Sequence, residues 1–172
     1  MENVERKVVK TYDINDVADY IILQATAEES RSSLTNLKLQ KLLYYVQAWS
    51  YGINQRPFFS NDEQFQAWIH GPVNRTIYNR FEQTKLLYSE LTMNDRRQEA
   101  KDLDDDGKEF VDFILENYMK FTGVQLESMT HKEDPWILAR QGLEPTARCE
   151  KIISPESLIK FYGKRWQEIK QN

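Results

Sequence analysis

Apolar residues recur at intervals of three and four along most of the chain, and this spacing predicts a mainly α-helical protein. In the densest segment, residues 34–51, Thr35 is suited to cap a helix. Gly52 and the stretch from Asn54 to Pro57 would end it, as Gly and Pro commonly do. One face of this helix is a core stripe of Leu39, Leu42, Leu43, Val46 and Ser50. The neighbouring face carries Gln40, Lys41, Tyr44, Gln47 and Tyr51. Because unpaired amide and phenol groups are costly to bury, that face should join an internal network or meet a partner.

The same spacing predicts six further helices: over residues 13–25, 73–81, 110–118 and 122–129, after Asp134-Pro135, and after Ser154-Pro155. At the last two starts, Asp or Ser can cap the helix and Pro loses nothing in the first turn. We expect the closing helix to dock through a stripe that reaches Ile169. Alternation over residues 65–69 predicts a strand or an irregular helix entry, and residues 85–91 a small extended piece.

These elements predict one compact multi-helix domain over residues 13–172, mainly α, with an N-terminal extension over residues 1–12. A small β element of two or three strands is compatible with the pattern. The net charge of −4 argues against nucleic acid as a partner, and no window holds the roughly 20 apolar residues that would cross a membrane. A single cysteine and a polar first segment predict a cytoplasmic protein.

The sequence does not match the known motifs of metal or cofactor sites in full. Residues 102–107 begin like a calcium loop, but Phe113 stands where the bidentate Glu belongs, so an acidic helix start is the better interpretation. Residues 131–133 match the His-x-Glu fragment of zinc deaminases without their cysteine pair. We therefore predict no metal, no cofactor and no catalytic residue. A cysteine hydrolase that uses Cys149, His131 and Glu133 is the weakest alternative.

Two clusters, residues 67–73 and 130–136, each combine a His and a Trp with a Pro-directed turn. A Trp can bury its apolar rings while its N–H takes a hydrogen bond, and a nearby His can donate or accept. Such groups either fix loops within the fold or anchor a protein partner. Their composition leaves both interpretations open.

Four motifs in order, residues 16–21, 34–45, 67–73 and 130–136, make the chain resemble the SocA-like antitoxin family, the Panacea domain also found in phage-associated GepA proteins. The resemblance covers about residues 13–140. It implies a mainly helical bacterial antitoxin, without catalysis or cofactor, that binds and neutralises a toxin encoded by an adjacent gene. A Pro that often follows the Gly-Pro-Val turn is missing from residues 74–76, which leaves the geometry of that turn open.

The residues marked as a partner-binding site or an internal network are Lys38, Gln40, Tyr44, Trp68, His70, Gly71, Pro72, His131, Lys132, Glu133 and Trp136. The resemblance also leaves open a role as adaptor that delivers the toxin to a cytoplasmic protease. A homodimer is a further open arrangement. A DNA-binding repressor of its own operon is the main alternative function, which the acidic balance disfavours.

Overall fold

The computed structural model describes residues 10–27 and 33–172. Its elements in this part of the chain are α1 (Ile14–Ala27), α2 (Asn36–Asn54), β1 (Phe65–Trp68), β2 (Gly71–Asn74), α3 (Arg75–Phe81), a 3-10 turn (Met93–Asp95), α4 (Asp105–Tyr118), α5 (Gly123–Thr130), α6 (Asp134–Ala139) and α7 (Pro155–Gln171). The prediction of a mainly α single domain with a small β element is confirmed. None of the described helices is long and apolar enough to cross a bilayer.

Helix α2 is the centre of the fold. Its N-cap is Thr35, whose hydroxyl accepts a hydrogen bond from the Lys38 backbone N–H at 3.2 Å, as predicted. Every residue from position 37 to position 50 is buried, so both faces of the helix lie inside the protein. The helix packs most extensively against α7 and also contacts α4, α5 and β2. Its polar face therefore had to be satisfied within the fold.

Gly52 does not end α2, contrary to the prediction. The helix continues to Asn54 and stops at Gln55, which adopts the left-handed conformation with φ of 56°. Gly52 lies where α2 passes α7, and a Cβ atom there would be 2.5 Å from the Cβ of Tyr162. Since carbon atoms cannot approach that closely, glycine is needed for the packing of two helices and not for a turn.

Strands β1 and β2 form an antiparallel hairpin in which Trp68 pairs with Gly71, so residues 69–70 make the turn. On the other side of β1, the Ala67 N–H donates to the carbonyl of Lys151 at 2.8 Å. The predicted helix over residues 73–81 was wrong at its start, because Val73 belongs to β2. Helix α3 begins at Arg75, and the Asn74 side chain caps it by accepting the Ile77 N–H at 3.0 Å.

The other helix starts test the capping predictions. Asp104 caps α4, which confirms the acidic helix start, and Thr122 and Ser154 cap α5 and α7 as predicted. Asp134 is not a cap: it is the first residue of α6, and the cap position holds Glu133, whose side chain makes no capping hydrogen bond. Its carboxylate is engaged elsewhere, as described below.

Three smaller expectations also changed. Helix α7 docks through Leu158, Tyr162 and Trp166, whereas Ile169, expected in the same stripe, is exposed. Residues 85–91 form turns with one isolated bridge, between Thr35 and Glu90, in place of an extended piece. Helix α1 begins after Asp13, as predicted, and most of the expected linker after it, residues 28–32, lies outside the described residues.

Candidate partner-binding groove and its buried support

Two lysines on the polar face of α2 are buried and donate to backbone carbonyls. The Nζ of Lys38 donates to the carbonyl of Met119, at the C-terminal end of α4, where helix carbonyls lack partners and a positive charge is favoured. The Nζ of Lys41 donates to the carbonyl of Pro72 at 2.9 Å. Burial lowers the pKa of Lys41 to about 7, against an opposing effect of the Glu127 carboxylate. Both lysines therefore fasten neighbouring elements to α2.

The Gln40 amide acts as a strand partner for β2. Its Nε2 donates to the carbonyl of Asn74 at 3.1 Å, and its Oε1 accepts the Asn74 N–H at 2.8 Å. Both polar atoms of a buried amide are thus satisfied. Gln47, further along the same face, accepts the Phe58 N–H at 2.8 Å and donates to the carbonyl of Glu63 at 3.2 Å. The hairpin and the loop before it are both held to α2 by amides.

Gly71 and Lys41 occupy one tightly filled space. The φ angle of Gly71 is +90°, which disfavours any residue with a side chain. A Cβ atom there would also lie 2.6 Å from the Cε of Lys41 and 2.9 Å from the Oγ1 of Thr130. The Gly-Pro turn that the sequence marked as a candidate site is therefore part of the support beneath the hairpin.

Glu133 is the acceptor of a second buried cluster, between α2 and α7. Its carboxylate accepts hydrogen bonds from the Tyr45 hydroxyl at 2.5 Å, the Tyr162 hydroxyl at 3.2 Å and the Arg165 guanidinium at 2.8 Å. Tyr44 is fully buried beside it, 3.4 Å from Tyr162 between hydroxyl oxygens. Burial raises the pKa of Glu133, although the Tyr45 hydrogen bond and the Arg165 charge both favour the carboxylate.

The two His-Trp clusters meet at the hairpin. The indole N–H of Trp136 donates to the carbonyl of Trp68 at 2.9 Å, and the ring of His131 stacks on Trp136 with centroids 4.1 Å apart. The Nε2 of His131 is buried without a hydrogen-bond partner among the described residues, and burial lowers the pKa of this imidazole. His70 is exposed at the turn and contacts Glu127 at 3.0 Å.

Most residues that the sequence marked are therefore placed inside the fold. Lys38, Gln40, Tyr44, Gly71, Pro72, Glu133 and Trp136 are buried, His131 and Trp68 are half-buried, and His70 and Lys132 are exposed. Gln40, Trp68 and His70 are the members of this set that also reach an open groove on the surface.

This groove has a volume of about 560 Å³. It lies between the first turn of α2, the β1–β2 hairpin, α3 and two loops at residues 85–87 and 148–150. Its apolar walls include Leu37, Trp68, Ile69, Val73, Tyr78 and Leu86, and its floor holds Asn36, Gln40 and Lys41. Four Lys or Arg and two Glu side chains line it, although the chain as a whole carries a net charge of −4. The groove thus has apolar walls, a polar floor and two arginines, Arg75 and Arg148, in its lining.

A rigid arginine site forms one margin of the groove. The Arg75 guanidinium lies 4.8 Å from the ring centroid of Trp68 and 5.6 Å from that of Tyr78. It donates to the Oε1 atom of Glu150 at 2.8 Å, and Arg148 donates to the same oxygen at 3.0 Å. Arg148 and then Arg75 hold the pKa of Glu150 below its usual value. Two guanidinium groups share one carboxylate oxygen here.

Another margin of the groove is the loop at residues 85–87, which carries an exposed apolar side chain on a hydrogen-bonded backbone. The Asn36 and Leu37 N–H groups donate to the carbonyls of Ser89 and Leu87, at 3.0 and 2.9 Å. The loop is thereby tied to the first turn of α2, yet its Leu86 side chain is 80% exposed. Across the groove, Ile69 and Tyr78 are each 36% exposed. Apolar groups held in solvent by hydrogen-bonded backbone are a feature of interaction sites.

Sequence reasoning missed Arg75, Tyr78, Leu86, Arg148 and Glu150. The Arg75–Glu150 pair joins residues 75 positions apart, so no local pattern could reveal it. Leu86 and Leu87 follow Lys85 in an otherwise irregular segment, and this apolar pair, of which Leu86 is exposed, is the local feature that could have marked the loop.

The side chains that a metal site or a cysteine hydrolase would need are not brought together in the described part of the chain. Among the described residues, no three His, Cys, Asp or Glu side chains are grouped so that they could hold a metal ion. Cys149 lines the groove and its Sγ accepts the Lys151 N–H, whereas His131 stacks on Trp136 and Glu133 binds the tyrosines. The three side chains of the hydrolase alternative thus have separate partners.

Comparison with known protein families assigns the central part of the chain to one of them. Residues 39–137 match the family described as antitoxin SocA-like, Panacea domain. Because the match covers more than half of the chain, the protein belongs to the SocA-like antitoxin family. The matched part includes most of α2, the hairpin, α3 and residues 85–87. No curated protein and no solved structure matches the chain.

Proposed function

We propose that this protein is the antitoxin of a bacterial toxin–antitoxin pair and that it neutralises its toxin by direct binding in the groove. The partner is the protein encoded by an adjacent gene, and the encounter takes place in the cytoplasm. Membership of an antitoxin family supports the role. The groove supports the site, because it is an exposed apolar recess whose hairpin, α3 and residues 85–87 lie in the part of the chain that matches the family. Its lining residues 36–37 and 148–150 lie outside that part.

Polar groups that are buried and already paired are poorer places for a toxin to bind than the exposed groups of the groove. Gln40, Lys41 and Glu133 each use their polar atoms on partners within the chain, so a toxin could engage them only by breaking those bonds. The groove margin instead offers Leu86, Tyr78 and Arg75 at fixed positions. Preformed surfaces of this kind bind without a large ordering cost.

Co-expression of the chain with its neighbouring gene product tests the proposal. We expect the neighbour alone to stop growth of the host, the pair to restore growth, and the two proteins to copurify as one complex. A harmless neighbour, or one that remains toxic beside this protein, would contradict the antitoxin function.

The finer features of the family picture stay predictions. They are delivery of the toxin to a protease, homodimerisation and repression of the operon. A gel shift with upstream DNA at several salt concentrations would reveal the last of these, since phosphate-driven binding weakens steeply as salt rises.

A further inference from the structure

We propose that the groove binds an acidic segment of the toxin: an apolar side chain enters between Tyr78 and Leu86, and a carboxylate meets Arg75 and Arg148. This inference rests on the proposed function and names the chemistry of the partner at the same site. It commits to a protein segment with apolar and negatively charged residues as the occupant.

The charge at the groove margin favours an acidic occupant. Arg75 and Arg148 both donate to one oxygen of Glu150, so two positive groups are balanced by a single carboxylate. Each guanidinium has five N–H donors, and most of them lie outside these two bonds. A second carboxylate, supplied by a partner, would complete the pairing.

Arg75 is already held in place for a carboxylate. Its guanidinium is held against the faces of Trp68 and Tyr78, so its direction is set before any partner arrives. An arginine that is already ordered loses little side-chain entropy when it meets a carboxylate. Arg148, which is 86% exposed, has the freedom to reach the same group from the other side.

The apolar walls of the groove favour an occupant with an apolar side chain. Leu86 projects into solvent from a loop whose backbone is bonded to the first turn of α2, and Tyr78 faces the same recess from α3. Water is poorly accommodated against such a pair, and a side chain placed between them would bury apolar surface on both sides. Interfaces gain most of their affinity from a few central contacts of this type.

The test measures the affinity of the full chain for the toxin encoded by the adjacent gene, with two groove variants and two matched controls. The groove variants are Arg148→Glu and Leu86→Asp, both at exposed positions where little folding energy is at risk. The controls are Lys164→Glu and Leu138→Asp, which make the same types of change at exposed positions away from the groove lining. Thermal unfolding of each variant reports whether the fold is intact.

We expect a rise in Kd of about tenfold for Arg148→Glu and about a hundredfold for Leu86→Asp, with less than about twofold for the controls. Wild-type binding should weaken as salt rises. Acidic residues of the toxin, reversed one at a time to Lys, should include one whose reversal restores affinity for Arg148→Glu.

The outcomes separate the two proposals. If wild-type protein binds and neutralises the toxin while both groove variants bind equally well, the groove assignment is overturned and the antitoxin function stands. If affinity falls for Leu86→Asp but not for Arg148→Glu, or if it falls for both and no charge reversal in the toxin restores it for Arg148→Glu, the acidic character of the segment is wrong. If wild-type protein neither binds nor neutralises the toxin, both proposals fall.

Discussion

The buried face of α2 and the groove at its first turn are built from the same kinds of side chain, yet they differ in how those side chains are paired. Inside, the Glu133 carboxylate receives three donors and the Gln40 amide uses both of its polar atoms. In the groove, one carboxylate oxygen serves two arginines and Leu86 stands in solvent. Residue type therefore does not separate the buried network from the groove. The proposal that the groove is the interface rests instead on its exposed and incompletely paired groups.

The largest effect on folding should come from removing the buried acceptor. In Glu133→Ala, the Tyr45 and Tyr162 hydroxyls lose their acceptor inside the protein, so we expect the free energy of unfolding to fall by about 3–5 kcal/mol. Chemical denaturation measures this directly. Glu150→Ala is the matched control at the surface, where loss of an exposed ion pair should leave the denaturation midpoint nearly unchanged.

The second comparison uses two glycines with nearly the same backbone angle. Gly71 has φ of +90° and is packed against Lys41, while Gly142 has φ of +85° and no described atom lies within 4 Å of the point where a Cβ atom would stand. We expect Gly71→Ala to destabilise the fold by about 2–4 kcal/mol and Gly142→Ala by about 1 kcal/mol. Equal losses in denaturation experiments would mean that the space beneath the hairpin is not closed.

Buried Lys41 makes a prediction about pH. Its pKa of about 7 in the folded protein lies below the ordinary value of 10.5, so the unfolded chain binds more protons between these two values. Stability should therefore rise as pH increases through this window, by up to about 1 kcal/mol per pH unit from this group. Lys41→Met should flatten that rise, and Lys132→Met at an exposed position should leave it intact. Parallel curves for Lys41→Met and wild type would contradict a neutral, buried amine.

The smallest effect on folding belongs to the groove. Leu86→Asp places a charge on a side chain that is already mostly in water, so the free energy of unfolding should change by less than about 0.5 kcal/mol. A loss of toxin binding without a loss of stability would set the groove apart from the buried network. A loss of stability as large as that of Glu133→Ala would instead show that the loop is part of the core.

Local chemistry made much of the fold predictable. Thr35, Asp104, Thr122 and Ser154 all cap the helices that follow them, because a cap needs only its own side chain and the next turn. Glycines were harder to interpret: Gly52 permits contact with a helix more than a hundred residues later, and nothing beside it in the chain indicates that. Asp134 failed as a cap because Glu133, one residue before it, takes the cap position.

The candidate site was less accessible from sequence than the fold. The motifs cover part of the groove lining, including Asn36, Leu37, Ile69 and Val73. Of the residues marked as candidates, however, only Gln40, Trp68 and His70 reach the groove. Its remaining parts come from the pairing of α3 with residues 148–150 and from a loop tied to α2 by backbone bonds. Those contacts depend on the tertiary arrangement, so neither spacing nor composition indicates them.

Hydrogen–deuterium exchange of the protein alone and in complex with its toxin tests the central claim most directly, because it locates the interface without a mutation. We predict that the toxin slows exchange in residues 69–78 and 85–91, around the groove, while the exposed side of α7 remains unchanged. Protection confined to α6 or α7, with the hairpin and the 85–91 loop unaffected, would contradict the assignment of the groove as the toxin-binding surface.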